Sequence, residues 1–387
     1  MTSETIWEIT GWSVFAFWIL SLGPAVLSLA LKKLNDRSQL YPEMQNWSKV
    51  SVVLAAKDEA ENIGAALSSL LEIDYPNLQV IAVNDRSEDE TGSIMHDLAR
   101  QFPQLDVVDI TTLPENWLGK THAMHLGAKR ADGDLLLFTD GDVIHGATAL
   151  KRAVYYLEQH KFDHLCLIPK MIPGGIIENA LVAFFGFLFS LGTQPWLIPA
   201  SIRRLYVGVG AFNLVRRKSY ETTGGYQTLA MDVIDDVKLG KLMKYSGFRQ
   251  DVLVAGPLVQ VKWQSSAWGV ICGLEKNAFA SVGFSLLKLI AVTLSIGCLI
   301  FGPYLAVVFL PFETALGFIC ALFWMHFIYG IISCLFGGGF AVCPLFPFAA
   351  LGILFAFWRS AIKTIRQGGI YWRDTFYPLD QLKKNLY

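Results

Sequence analysis

The sequence predicts an α/β domain with a mostly parallel sheet, held between transmembrane helices at both ends of the chain. Three observations predict it. Between residues 50 and 138, short apolar runs alternate with stretches of helical periodicity. Long uncharged segments flank that region on both sides. Apolar strands also stop repeatedly on carboxylates, most clearly where residues 135–138 run into Asp140-Gly141-Asp142.

The 387 residues are 53% hydrophobic and 17% charged, too apolar for an ordinary soluble protein and too charged for a pure membrane bundle. Residues 11–31 carry no charge, are long enough to cross a hydrocarbon core, and are followed by Lys32, Lys33 and Arg37. A secretory signal would place its basic residues before the apolar run and end on a small-residue cleavage site, so an anchor over residues 1–38 is expected instead. Residues 289–310 make a second uncharged span. Residues 314–358 contain no charged residue and suffice for two further crossings, parted by Gly337-Gly338-Gly339. The expected organisation is therefore a soluble domain over 40–280, membrane segments over 281–362, and an interfacial basic and aromatic tail over 363–387.

The basic residues after the first span put the soluble domain in the cytoplasm, on the inner face of what reads as a bacterial cell membrane. Lys363, Arg366, Arg373, Lys383 and Lys384 point the tail to the same side. Three C-terminal crossings would put it outside. Either one apolar segment is re-entrant or the tail breaks the charge rule, and the charges carry more weight than the span count. A net charge of −1 offers no basic field for nucleic acid. Four of the six cysteines lie in the apolar C-terminal region and none forms a CxxC, which leaves them as packing residues.

Within the domain, residues 50–55 predict a buried strand, 60–71 a helix, and Asp74-Tyr75-Pro76 a turn. Residues 80–83 predict a strand, 91–102 a helix, 105–110 a strand, 120–130 a helix and 135–138 a strand. No GxGxxG follows the first strand, so a dinucleotide fingerprint is missing. The strand ends carry acids instead: Lys57-Asp58-Glu59, Asn84-Asp85-Arg86-Ser87 and Asp140-Gly141-Asp142. Taken singly, each acid is explained as well by helix capping or turn closure. Together, on one rim, they favour a polyhydroxyl or metal–phosphate ligand, because open α/β sheets bind ligands at the carboxyl ends of their strands. Two carboxylates one residue apart are hard oxygen ligands of the kind Mg²⁺ or Mn²⁺ takes.

Residues 179–202 are also uncharged. A crossing there would separate Asp142 from Asp236, and Gly186, Gly192, Pro195 and Pro199 interrupt the stretch, so an interfacial or buried helix is expected. Gly208-Val209-Gly210 suits close backbone approach to a ligand, and Arg216-Arg217 suits phosphate or lipid headgroups. Asp235-Asp236 opens a helix over 237–245, where capping is again the plain alternative.

In order, these pieces resemble a family 2 glycosyltransferase with the GT-A nucleotide-sugar fold, over about residues 50–245. They are Lys57-Asp58-Glu59-Ala60-Glu61-Asn62, the Asp-Tyr-Pro turn, Val83-Asn84-Asp85-Arg86-Ser87 and Gly119-Lys120-Thr121-His122-Ala123, followed by Thr139-Asp140-Gly141-Asp142, Gly224-Gly225-Tyr226 and Ile234-Asp235-Asp236. With the membrane layout, the chain is similar to hopene-associated and carotenoid glycosyltransferases, and more distantly to ceramide glucosyltransferase. Lys276-Asn277-Ala278-Phe279 resembles the first group; Trp372-Arg373 with Tyr377 resembles the tail of the second. The QxxRW motif of processive polysaccharide synthases is absent, since no arginine occurs between Asp251 and Trp358. The usual Glu-Asp pair is Asp235-Asp236 here.

The resemblance implies transfer of a sugar from a nucleotide-diphosphate sugar, a UDP-sugar favoured, to a lipid acceptor with inversion. It implies that Lys57, Glu59, Asp85, Lys120 and Asp140 bind the donor, and that Asp142 with Asp140 holds Mg²⁺ or Mn²⁺. Asp236, beside Asp235, would deprotonate the acceptor hydroxyl. Arg216, Lys276, Trp372 and Arg373 are expected on the acceptor and lipid side. The competing readings are a processive polysaccharide synthase, a catalytically inactive scaffold of the same fold, and a transporter. A transporter would want ionisable groups inside its spans, where only His326 qualifies.

Overall fold

A computed structural model describes residues 2–34, 46–264, 266–373 and 375–384. The chain divides into two compact units: a sheet unit of Lys32–Ile172, Leu197–Lys262 and Gly369–Tyr387, and a helical unit of Met1–Leu31, Pro173–Trp196 and Trp263–Gly368.

The sheet unit is built on eight strands: β1 (Val50–Ala56), β2 (Leu78–Asp85), β3 (Leu105–Ile110), β4 (Leu135–Asp140), β5 (Val143–His145), β6 (His164–Met171), β7 (Asn213–Arg216) and β8 (Gln250–Val261). Their order across the sheet is β3-β2-β1-β4-β7-β6-β8-β5. The expected parallel half is present, with β1 parallel to β2 and β4, and β2 parallel to β3. Beyond β4 the sheet turns mixed: β7 runs antiparallel to β4 and β6, and β5 antiparallel to β8. Successive β1 residues point to opposite faces, Val52 and Leu54 into one apolar cluster and Val53 into the other. Helices cover both faces there, so an unbroken apolar run is required rather than an alternating one.

The parallel register aligns the carboxyl ends of the strands. Ala55 of β1 stands opposite both Val83 of β2 and Asp140 of β4. The chain leaves β1 and β2 through left-handed backbone at Asp58 (φ 52°) and Arg86 (φ 56°). Such conformations cost about 1 kcal/mol or more in non-glycine residues and collect at functional rims. After the helical unit the chain returns as an antiparallel hairpin, β9 (Gly369–Trp372) and β10 (Thr375–Pro378).

The helical unit contributes five helices long and apolar enough to cross a membrane: Ser3–Ala30, Ile176–Leu197, Leu286–Phe309, Phe312–Leu335 and Phe340–Gln367. Many of their outward side chains are large and apolar, among them Leu20, Leu287, Phe309 and Phe323. β6 and β7, on either side of the Ile176–Thr193 helix, pair directly, so the chain between them leaves and rejoins the sheet unit at neighbouring strands. At 18 residues that helix is about 27 Å long.

Both β8, before the C-terminal helices, and the β9–β10 hairpin, after them, belong to the sheet unit. Ser3–Leu31 and Phe312–Leu335 run side by side in the same direction: Gly317 meets Trp12, and Trp324 bonds the Trp18 carbonyl. After Gly337-Gly338-Gly339 the chain folds back on the preceding helix, placing Phe340 against Gly330 and Cys343 at the His326 carbonyl. The Phe346–Gln367 helix begins with Phe346 on Tyr329 and carries Ser360 to the Glu275 carbonyl.

Candidate active site

The acids at the carboxyl ends of the strands converge, joined by contacts between neighbouring loops. Ser87 Oγ accepts from the Asp58 N–H at 3.1 Å, and Asp58 Oδ1 accepts from the Glu88 N–H at 2.8 Å. Thr91 Oγ1 accepts from the Glu59 N–H at 2.8 Å. These bonds bind the ends of β1 and β2 into one rim, which explains why capping residues and site residues are the same residues there.

Asp140 ends β4, and Lys120, in the first turn of the Gly119–Arg130 helix, places its Nζ 2.7 Å from Asp140 Oδ1 and 3.4 Å from Asp235 Oδ1. Burial opposes the Lys120 charge, but Asp140, Asp235 and Asp236 hold it protonated well above the usual lysine range. Asp142 lies beyond the turn. Burial, then Asp140 and Glu59, push its carboxyl up to about 7.

Gly210 joins the second acidic pair to the first. Its N–H donates to Asp236 Oδ2 at 2.8 Å. A Cβ at Gly210 would lie 2.5 Å from Asp140 Oδ2 and 3.3 Å from Asp236 Oδ2, so only glycine lets the two carboxylates approach this backbone. Asp236 Oδ1 takes the Val237 N–H at 2.8 Å at the start of the Asp235–Tyr245 helix. Burial, then the neighbouring Asp235, push Asp236 up to about 6, with Lys120 opposing. Asp235 is more deeply held: it is buried, and Tyr226 Oη donates to its Oδ2 at 3.3 Å. Asp235 therefore anchors the constellation while Asp236 presents its carboxylate beside Gly210.

Asp85 is buried at the end of β2, and Arg86 forks onto it, Nε at 2.8 Å from Oδ1 and Nη2 at 3.1 Å from Oδ2. Asp140 and Asp142 are the residues suited to a metal. Among the described residues no group of three or more His, Cys, Asp or Glu side chains is arranged to hold one. Asp142, whose proton affinity Asp140 raises, and Asp140 itself fit a Mg²⁺ or Mn²⁺ whose remaining positions go to water and phosphate oxygens.

The acceptor-side expectations divide. Arg216 is not brought to the acids: it pairs with Leu135 at the amino end of β4, opposite the rim. Its fork is engaged by Glu158 at 3.1 and 2.8 Å, and its Nε by the Phe162 carbonyl. The fork braces the far edge of the sheet. Lys276 lies in the helical unit, between Ala267–Gly273 and Ala278–Ser281. Trp372 ends β9, and Arg373 follows it onto the rim at the end of β1, where its guanidinium bonds Glu59 and, at 3.1 Å, the Asp58 carbonyl. Sequence reasoning missed the Arg86 fork on Asp85 and the Tyr377 hydroxyl at the Gly119 N–H (3.2 Å). Proximity to Asp85 in the sequence was the available signal for Arg86; for Tyr377 only the tail resemblance pointed to the residue.

Residues 51–224 match the family described as Glycosyl transferase family 2. The 4,4'-diaponeurosporenoate glycosyltransferase of Staphylococcus haemolyticus is 23% identical over 234 residues, 60% of this chain and 59% of that one. The beta-monoglucosyldiacylglycerol synthase of Synechocystis sp. is 26% identical over 293 residues, 73% of this chain and 56% of that one. The chain thus spans a little over half the length of these two curated relatives. Among solved structures, a mannosyltransferase from Pyrobaculum calidifontis in complex with GDP-Man and Mn²⁺ superposes with a TM-score of 0.52 at 17% identity, covering 92% of this chain and 99% of that one. That likeness is one of fold.

Proposed function

Because this chain carries a family 2 glycosyltransferase domain, we propose that it moves a sugar, with inversion, from a nucleoside-diphosphate sugar to a lipid or lipid-linked acceptor at the cytoplasmic membrane face. The observation that carries the reading is the meeting of Asp140, Lys120 and Asp236 around Gly210. One carboxylate and one ammonium face a departing diphosphate, and a second carboxylate of raised proton affinity stands across from them.

In this reading Asp236 takes the proton of the acceptor hydroxyl as that oxygen attacks the anomeric carbon and the bond to the diphosphate breaks. A carboxyl pushed up to about 6 is ionised near neutral pH and is a stronger base than an ordinary aspartate. Lys120 keeps its charge and meets the developing negative charge on the diphosphate. A divalent cation held by Asp140 and Asp142 would supply further neutralising charge. Asp85 recognises the nucleobase, uracil being favoured, and Lys57 and Glu59 border the donor along the end of β1.

The lipid acceptor is supported by relatives named for a carotenoid acid and a diacylglycerol, and by a helical unit with apolar outward faces. Lys276 and Trp372 remain on the acceptor side of the proposal. The positive-inside rule puts the domain in the cytoplasm. A polymerising synthase is disfavoured by the missing QxxRW, although poly-beta-1,6-N-acetyl-D-glucosamine synthases are among the relatives.

Saturation-transfer NMR on the detergent-solubilised protein, with Mg²⁺ and a panel of UDP- and GDP-sugars, tests the donor side. Saturation should reach the base and ribose protons of one nucleotide class and vanish in Asp85→Ala. No transfer to any nucleotide sugar contradicts the proposal.

A further inference from the structure

We propose that Arg359, Lys363 and Arg366, with Trp268 beside them, form a binding site for the headgroup of one anionic phospholipid at the C-terminal end of the last apolar helix. The lipid is held rather than glycosylated, so the inference stands apart from the acceptor reading above, and every residue of the site belongs to the helical unit.

The Phe346–Gln367 helix changes chemistry along one stripe of its surface. Phe348, Leu351 and Phe355 are exposed over its first turns, and Arg359, Ile362, Lys363 and Arg366 continue the same face at helical spacing. At a rise of about 1.5 Å per residue, the apolar part from Phe348 to Phe355 and the basic part from Arg359 to Arg366 are each ~10 Å long. Acyl chains cover apolar side chains within a span, and cations placed where the span ends meet headgroup phosphates. A soluble phosphate would use only the basic half of this stripe. A phospholipid uses both halves.

A helix C-terminus favours cations through its dipole, and that is the plain alternative. It does not account for the way Arg359 is held. Its Nε donates to Glu275 Oε1 at 2.6 Å, and its Cζ lies 5.0 Å from the centre of the half-exposed Trp268 ring. Lys363 takes the other Glu275 oxygen. Burial opposes the charge on Glu275, but Lys363 and Arg359 hold its carboxyl below the usual glutamate range. The Glu275 backbone is itself pinned, because Ser360 Oγ donates to its carbonyl and accepts the Phe279 N–H at 3.1 Å. The guanidinium is thus fixed in place, while its two terminal amino groups have no hydrogen-bond partner among the described residues. Arg366 is exposed, and among the described residues nothing pairs with it. A guanidinium preset in this way takes a phosphate through parallel N–H donors. Three cations against one carboxylate leave the stripe net positive, which complements an anionic headgroup better than a zwitterionic one.

Native mass spectrometry of the full chain in detergent tests the site, with dioleoylphosphatidylglycerol, dioleoylphosphatidylcholine and glycerol 3-phosphate as probes. The anionic lipid should bind at least fivefold more tightly than the zwitterionic one, and glycerol 3-phosphate in large excess should not displace it. Arg359→Gln and Arg366→Gln should each weaken the anionic lipid at least threefold. Arg366→Gln breaks no contact among the described residues, so it decides the matter even where Arg359→Gln fails to fold. Lys218→Gln removes an exposed cation from the sheet unit and should leave the affinity unchanged. A preference below fivefold, a loss below threefold in either folded variant, or an equal loss in Lys218→Gln overturns the proposal. Displacement by glycerol 3-phosphate overturns it too, since the site would then be one for soluble phosphates.

Discussion

At the scale of single residues, the assignment of Asp236 as base has a sharp consequence. Asp236→Asn keeps the size and can still accept one of the two backbone hydrogen bonds, from Gly210 or from Val237, but cannot take the acceptor's proton. Transfer to a hydroxyl acceptor should fall by about 10²–10⁴, with nucleotide binding unchanged, as expected of a group acting only in the chemical step. Loss on Asp235→Asn with Asp236→Asn still active would reverse the two roles. The pH profile follows from the same geometry. Below about 6 the Asp236 carboxyl is neutral and cannot serve as base, so the rate should rise with pH through about 6 and level off; that limb belongs to the coupled cluster with Asp235, Asp140 and Lys120. Asp142→Asn removes one hard oxygen ligand, and we expect turnover to fall by orders of magnitude; chelation with EDTA should do the same to wild type. Activity indifferent to both would remove the metal from the account. Asp85, Lys120, Asp140 and Asp236 were legible in the sequence because strand ends and motif order place them. Arg216 was not: its partner Glu158 lies 58 residues away, and only the antiparallel register of β7 shows that it faces the other edge.

At the scale of elements, the loop before β7 shows how the core reaches the site. Gln250, at the start of β8, is fully buried; its Oε1 accepts the Val207 N–H at 3.0 Å, and its Nε2 donates to the Val207 carbonyl at 2.8 Å. That grip sets the path of Gly208-Val209-Gly210. Gln250→Leu leaves the buried Val207 amide and carbonyl without these partners, and should cost about 2–4 kcal/mol, read as a lower unfolding temperature and a loss of turnover. Gly210→Ala should differ in kind: turnover drops steeply because the new methyl meets the Asp140 and Asp236 carboxylates, while the unfolding temperature changes less. A variant that unfolds early but turns over normally would show that the loop is packing alone. The elements from β1 to β4 were readable because each is a continuous apolar run closed by a turn. β7 spans 4 residues and takes its place from pairing with β4 and β6 rather than from any pattern of its own. The contact of Arg373 with Asp58 and Glu59 was likewise hidden, since a basic and aromatic tail reads equally as a membrane-interface segment.

At the scale of the whole molecule, span counting found the apolar segments but left their parity open. The pairing of β6 with β7 and the contacts of the hairpin with Glu59 and Gly119 gather the tail and the strands into one sheet unit, and we propose that both lie on one side of the membrane. A cysteine replacing Lys384 should therefore resist impermeant reagents added to intact cells and react after the membrane is opened; ready labelling from outside would separate tail from domain. The central claim, sugar transfer onto lipid, is tested most directly by the product. Purified protein given a labelled nucleotide sugar of the class it binds, Mg²⁺ and an extract of bacterial membrane lipids should yield an organic-extractable lipid heavier by one sugar. That product should disappear in Asp236→Asn and with EDTA. Label accumulating instead in a water-soluble polymer, or nucleotide diphosphate released with no lipid product from any extract, would contradict the account.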